Sequence, residues 1–308
     1  MSIITKETFE LAQGIDSFRR VDESHPLDIY LGKDFSARTS MLLISKVEPM
    51  QIYSSHIIGI TIGKRADGAW ALSFSLLDNQ FQDIFFHFCD DIVNSTRDIK
   101  DKTLGTNFIC LRYIKWQEML KKNSTGLLRF SEIKGLIGEL IFLKTFMFEN
   151  YGKTLALESW IGPDKADQDF VCKDSWYEVK ATVSGAASIK ISSIEQLDTN
   201  SDGELVVIYL DKTSIANPNR ITLNSIVNKI ECDLENGEQR RMLSDILIRQ
   251  GYVPRSEYDE YGFVCTSKAS YIVNNKFPAL RKKDVSSAVE NATYTLSLAA
   301  IKGFLKEI

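Results

Sequence analysis

Residues 164–182 read DKADQDFVCKDSWYEVKAT, two apolar runs parted by the polar triplet Lys173, Asp174 and Ser175. Such a pattern predicts a hairpin whose second strand runs from Trp176 to Thr182. Strand side chains alternate between faces, so Glu178 and Lys180 project from one face and Val179 points into a core. Asp169 opens the first strand, beside Phe170, Val171 and Cys172, and there its carboxylate meets that of Glu178. Two carboxylates and a lysine converging on a hairpin form a site for a hard cation and a phosphate. Magnesium keeps several waters and is usually held by one or two carboxylates plus phosphate oxygens. A bound metal acidifies water and stabilises charge developing on the phosphate. A nearby ammonium orients the attacking water and steadies the same charge.

By itself an acidic-x-Lys triplet marks the solvent face of many strands, so its surroundings matter more than the triplet. Upstream, Gly135-Leu136-Ile137-Gly138-Glu139-Leu140 falls in a predicted helix over residues 131–150, and Trp160-Ile161-Gly162 precedes the hairpin. With Gln168-Asp169-Phe170 and Glu178-Val179-Lys180, these stretches resemble the PD-(D/E)XK nuclease superfamily, whose fold is restriction-endonuclease-like. The nearest likeness is to a branch of PD-(D/E)XK motif proteins encoded in bacterial restriction-like defence clusters. The resemblance spans most of the chain, and its specific motifs fall within residues 131–210. It implies a catalytic set of Asp169, Glu178 and Lys180, with Glu139 as a fourth member. From its position alone Glu139 either looks into the metal site or is an ordinary surface glutamate. One departure stands out: Gln168 precedes Asp169 where the motif has proline, and where that branch often shows histidine. A literal Pro163-Asp164 occurs in a Gly-Pro turn, but no apolar strand follows it directly. Asp164 and Asp167 are therefore read as loop carboxylates.

The rest of the chain sets the context. Its apolar and charged fractions, 44% and 25%, are those of an ordinary soluble globular protein. A net charge of -4 means that any nucleic-acid surface is local rather than global. Five dispersed cysteines without a CxxC, and a start (MSIITKETFE) lacking an apolar leader, predict a reduced, cytoplasmic setting. No apolar run is long enough to cross a bilayer. His25, His56 and His87 are too scattered for a zinc site and read as surface or capping residues.

Three regions are expected in an α/β (α+β) chain. Residues 1–122 are β-rich, then carry two connector helices striped by Phe81, Ile84, Phe85, Phe88, Ile92 and by Ile109, Tyr113, Trp116. A linker at Asn123–Gly126 leads to a nuclease core over 127–215, a mixed central sheet flanked by helices. This core contains a strand near 154–159, the hairpin, a short helix with Glu195 and Gln196, and the buried run LVVIYL at 205–210. Residues 216–308 read as a mainly helical, winged-helix-like appendage. Gln168, Lys190, Gln196, Arg281, Lys282 and Lys283 are candidate nucleic-acid contacts, as are Arg19, Arg20, Arg38, Lys64 and Arg65. A solvated surface explains each of these as well.

The resemblance implies a metal-dependent DNA endonuclease of a bacterial restriction or phage-defence system. Asp169, Glu178 and the Val179 carbonyl would hold Mg2+, for which Mn2+ can substitute, and Lys180 would position the water. Two rivals share the fold: a non-catalytic DNA-binding or scaffold subunit, and a nuclease active only with an ATPase/helicase-like or methyltransferase partner. Homodimerisation to cut both strands belongs to the same expectation.

Overall fold

The computed structural model describes residues 4–122, 127–162 and 167–306. The Asn123–Gly126 linker and the alternative Asp164 lie outside the described residues. The chain divides into two compact units, Met1–Leu127 and Leu128–Ile308.

In the first unit, helix α1 (Lys6–Glu10) precedes strands β1 (Ser17–Arg20), β2 (Asp28–Lys33), β3 (Thr39–Ser45), β4 (Ile58–Lys64) and β5 (Trp70–Leu76). They form one antiparallel sheet in the order β1-β2-β3-β5-β4. Register puts Ile29, Leu43 and Leu72 in one row and Leu31, Met41 and Phe74 in the next, all buried. Helices α2 (Gln82–Ser95) and α3 (Lys102–Lys122) follow. The Phe74 ring centroid lies 5.2 Å from that of Phe88 and 5.4 Å from that of Tyr113. The two stripes expected on connector helices are thus the apolar layer of this unit's own core. Each fully buried phenylalanine contributes roughly 1.5–3 kcal/mol. Arg112 is buried and makes a two-pronged ion pair with Asp91 (2.7 and 2.8 Å), which Trp116 Nε1 also reaches at 2.7 Å. His25, read as a surface or capping residue, is buried as well. Its ring nitrogens meet the carbonyls of Leu27 and Val93 at 3.1 and 3.0 Å, so it staples a loop to α2.

The second unit starts with helix α4 (Phe130–Phe142), which runs through one wide turn (Leu143–Met147) into α5 (Phe148–Tyr151). Next come α6 (Lys153–Ser159), β6 (Phe170–Val171), β7 (Trp176–Thr182), β8 (Ser188–Ile191) and β9 (Gly203–Lys212). After these, α7 (Leu223–Asp233), α8 (Gly237–Arg249), β10 (Phe263–Val273), β11 (Tyr294–Ser297) and β12 (Leu305–Lys306) complete the unit. The main sheet has the order β12-β10-β9-β7-β6, parallel only between β7 and β9, and β8 pairs with β11 in a small second sheet. This is a mixed α+β architecture. Helix α4 lies close on β7 because position 138 is glycine: a Cβ there would sit 3.0 Å from Ala181 Cβ. At Gly135 the same test finds open space, so only one of the two helix glycines serves the close approach.

Three expectations need correction. Residues 154–159 are helix α6, not a strand: the Thr-Leu-Ala-Leu alternation is misleading, because adjacent Ala156 and Leu157 are both buried while Leu155 is exposed. Glu195 and Gln196 lie in a turn rather than a short helix. The C-terminal region is no appendage. β10 pairs with β9 along its whole length, from Val273↔Gly203 to Phe263↔Lys212, with an irregularity between Cys265 and Ser267. The interior of β10, Cys-Thr-Ser-Lys-Ala-Ser, is partly exposed and polar, so its apolar alternation is too weak to see.

Candidate active site

β7 displays its side chains as the alternation requires. Glu178 is buried at 1% exposure, and Lys180 Nζ stands 2.5 Å from Glu178 Oε1. Val179, between them, is buried. Asp169 directly precedes β6, and its Oδ2 accepts the Val179 N–H at 2.8 Å. In an extended strand the N–H and C=O of one residue point to the same side. The Val179 carbonyl therefore faces the edge that Asp169 occupies, beyond the point where two-residue β6 has ended.

Asp169 is held from behind. Its backbone carbonyl accepts N–H groups from Ile161 and Gly162 at 3.0 and 3.1 Å, and the Trp160 ring stacks on Phe170 at 5.7 Å. A Cβ at Gly162 would press within 3.0 Å of the Asp169 carboxylate, so the Trp-Ile-Gly stretch wraps the aspartate as closely as backbone allows. Trp160 also reaches α4: its Nε1 donates to Glu139 Oε2 at 2.8 Å, and Gln250 Nε2 donates to the same oxygen at 3.1 Å. Glu139 thus looks into the site. Gln250, which follows α8, carried no sequence signal of this role.

The electrostatics are those of crowded acids. Burial, then the charge of Asp169, pushes Glu178 up to about 8 against the pull of Lys180. Burial likewise raises Asp169, opposed by Lys180 and the Val179 N–H. Glu139 stands well above the usual carboxylate range, first through burial and then through the charges of Asp169 and Glu178. Each carboxyl therefore feels its neighbours. Among the described residues, no three His, Cys, Asp or Glu side chains are arranged to hold a metal ion between them. Two carboxylates and a carbonyl suffice for magnesium, which completes its shell with water and phosphate. Glu178 Oε2 fits that role: it is buried and has no hydrogen-bond partner among the described residues. A buried carboxylate oxygen left without a partner is costly, and a hard cation would satisfy it.

Gln196 Oε1 accepts from Lys180 Nζ at 3.1 Å and from the Ser192 N–H at 2.9 Å. Gln168 Nε2 donates to the Glu195 carbonyl at 2.8 Å. Arg281 pairs with Asp198 at 3.4 Å and Lys282 with Glu195 at 3.2 Å. In this structure Gln168, Gln196 and Arg281 are thus struts that hold the 194–198 turn beside Lys180, while Lys282 meets Glu195 from an exposed position. Lys283 is exposed. Lys190 is exposed on β8, opposite the buried Ile189 and Ile191, and belongs to no part of this cluster. Asp167 is exposed. In the first unit, Arg20 pairs with Asp28 and Arg65 with Asp67.

A family model described as "Putative PD-(D/E)XK family member" matches residues 7–299. The chain belongs to that family. No curated protein and no solved structure matches it. Within this PD-(D/E)XK-family chain, the nuclease-like fold brings Asp169, Glu178 and Lys180 to one edge. Where the motif name has proline, Gln168 instead spends its amide on the Glu195 carbonyl. No helix of this PD-(D/E)XK-family chain, among the described residues, is long and apolar enough to cross a membrane.

Proposed function

We propose that this chain is a metal-dependent DNA endonuclease that hydrolyses phosphodiester bonds. The observation that carries the reading is the partnerless, buried Glu178 Oε2, set among Asp169, Lys180 and Glu139. Asp169, Glu178 and the Val179 carbonyl are the groups that would hold Mg2+, or Mn2+ in its place. A divalent cation there would supply an acidified water and a Lewis acid for the phosphate oxygens. Lys180, anchored through Gln196, orients the attacking water and steadies the charge growing on the phosphate. Trp160 and Gln250 fix Glu139, which would hold a proton at the site.

The setting we propose is a bacterial restriction or phage-defence system. There an ATPase/helicase-like or methyltransferase partner would deliver the DNA, and a second copy would cut the other strand. The net charge of -4 supports a chain that relies on such delivery rather than on its own long-range attraction for DNA.

The deciding experiment is cleavage of supercoiled and phage DNA with Mg2+ or Mn2+, comparing the wild type with Asp169→Ala and Lys180→Ala. Metal-dependent nicking abolished by both substitutions is the expected result. DNA binding that needs no metal and survives Lys180→Ala, with no cleavage by the wild type, would make the chain a binding subunit instead.

A further inference from the structure

The nuclease reading uses Glu178 Oε2, one of several buried polar atoms left partnerless among the described residues. Another is the Tyr294 hydroxyl, which is buried and has no hydrogen-bond partner among the described residues. Tyr294 begins β11, in register with Ile191 of β8. The next residue along, Ser192, gives its N–H to the same Gln196 oxygen that anchors Lys180. The ring packs against the cluster of Ile189, Ile191, Leu197 and Phe277, so the phenol cannot swing out to water without uncovering that core. The backbone of Leu280 lies alongside without reaching hydrogen-bonding geometry. Charges on Arg281, Asp198 and Glu178 all act on the hydroxyl, and with burial as the main cause its pKa rises to about 12. The group is therefore a neutral O–H donor on the strand pair next to the Gln196 contact that anchors Lys180.

A buried hydroxyl with no partner is a cost that folding alone does not explain. Sites of function are where such costs are retained. The two orphan atoms are complementary: Glu178 Oε2 is an acceptor suited to a cation, and Tyr294 is a donor suited to an anion. A metal-bound phosphodiester supplies both.

We propose that the Tyr294 hydroxyl is an active-site donor that hydrogen-bonds a non-bridging oxygen of the bound phosphodiester. It keeps its proton throughout and strengthens its bond as charge builds on that oxygen. The assignment rests on the nuclease reading above and adds a residue from outside the three-residue motif.

The test is Tyr294→Phe in the full chain, which keeps the ring and removes one oxygen. Three results are expected. The melting temperature equals or exceeds that of the wild type, because an unsatisfied buried group has been deleted. The Mn2+ binding isotherm without DNA is unchanged. The single-turnover cleavage rate at saturating DNA falls by about 100-fold, as for loss of one donor to a developing oxyanion. An unchanged rate would overturn the proposal. So would a rate loss accompanied by a matching shift in the Mn2+ midpoint, because the hydroxyl would then be serving Glu178. If the wild type cleaves nothing in either metal, the nuclease reading fails and the phosphate contact is judged by duplex binding in Mn2+. A loss of about 10-fold in affinity on Tyr294→Phe would support it, and equal affinity would overturn it.

Discussion

Gln250 Nε2 lies 3.1 Å from Glu139 Oε2, a hydrogen bond between residues 111 apart in sequence. It ties the end of α8 to the middle of α4, so the region once expected to be an appendage reaches a carboxylate of the candidate site.

Replacing Gln250 by alanine leaves Glu139 with the Trp160 indole as a donor. The expected loss of stability is about 1 kcal/mol, the usual net worth of one such bond. Cleavage should fall further than stability does, by about 10-fold, because a misplaced carboxylate misplaces what it holds. Chemical denaturation and single-turnover kinetics on the same preparation check both parts. Equal activity with reduced stability would make Gln250 a packing residue only.

Glu178 makes a pH prediction whose sign follows from its direction of shift. Its folded pKa, about 8, lies above the ordinary 4.5, so the folded state binds the extra proton between those values. Stability from this group is complete below about 4.5 and is lost as pH rises through 8. The ceiling is about 5 kcal/mol at 1.36 kcal/mol per unit. Asp169, Glu139 and Asp90 are raised as well and slope the same way. Groups held low, such as Glu257 at about 2, act below this window. Urea unfolding in EDTA at pH 5.5, 7 and 8.5 should show falling stability, and Glu178→Gln should flatten the profile. Added Mg2+ should restore stability at the alkaline end, by mass action on the folded state. An unchanged slope in Glu178→Gln would count against the buried acid.

Gln196→Ala removes the second anchor of Lys180 while leaving its ion pair with Glu178. DNA affinity should change little, and the cleavage rate should drop by about 10- to 100-fold, the effect expected of a displacement near 1 Å. Arg281→Ala, which removes the ion pair to Asp198 but leaves its bond from the Lys282 N–H, should produce a weaker version of the same split between rate and affinity. A uniform loss of binding with no rate effect would return Gln196 to the nucleic-acid surface.

Gly138 is the place where α4 meets β7 most closely. Gly138→Ala should be nearly neutral in stability, since a helix gain of about 1 kcal/mol offsets the squeeze on Ala181. Gly138→Val overpacks the contact and should cost about 1–3 kcal/mol. Both changes displace Glu139, one residue on, so activity should decline in the order glycine, alanine, valine. Pairing the larger side chain with Ala181→Gly should recover part of the loss.

What could be read in advance followed strong local patterns. WYEVKAT alternates cleanly, so the shared face of Glu178 and Lys180 was legible, and so was the helix that carries Glu139. Residues 153–159 misled because a four-residue alternation cannot distinguish a strand from a helix burying two neighbours. β10 was legible only at its two ends, residues 263–265 and 271–273, because residues 266–268 between them are polar and exposed. Glutamines were the least legible of all. Gln168, Gln196 and Gln250 look alike in sequence, and only their partners, 27, 16 and 111 residues distant, define what they do.

The strand order also has a consequence in time. β9 lies between β7 and β10, yet ribosomes make β10 some fifty residues later than β9. Until Phe263–Val273 emerges, one whole flank of β9 is an unpaired edge, and until Gln250 emerges Glu139 lacks that donor. A nascent chain therefore carries all three motif residues well before it carries a finished active site. On the nuclease reading, a copy released before Val273 should leave the DNA around it uncut.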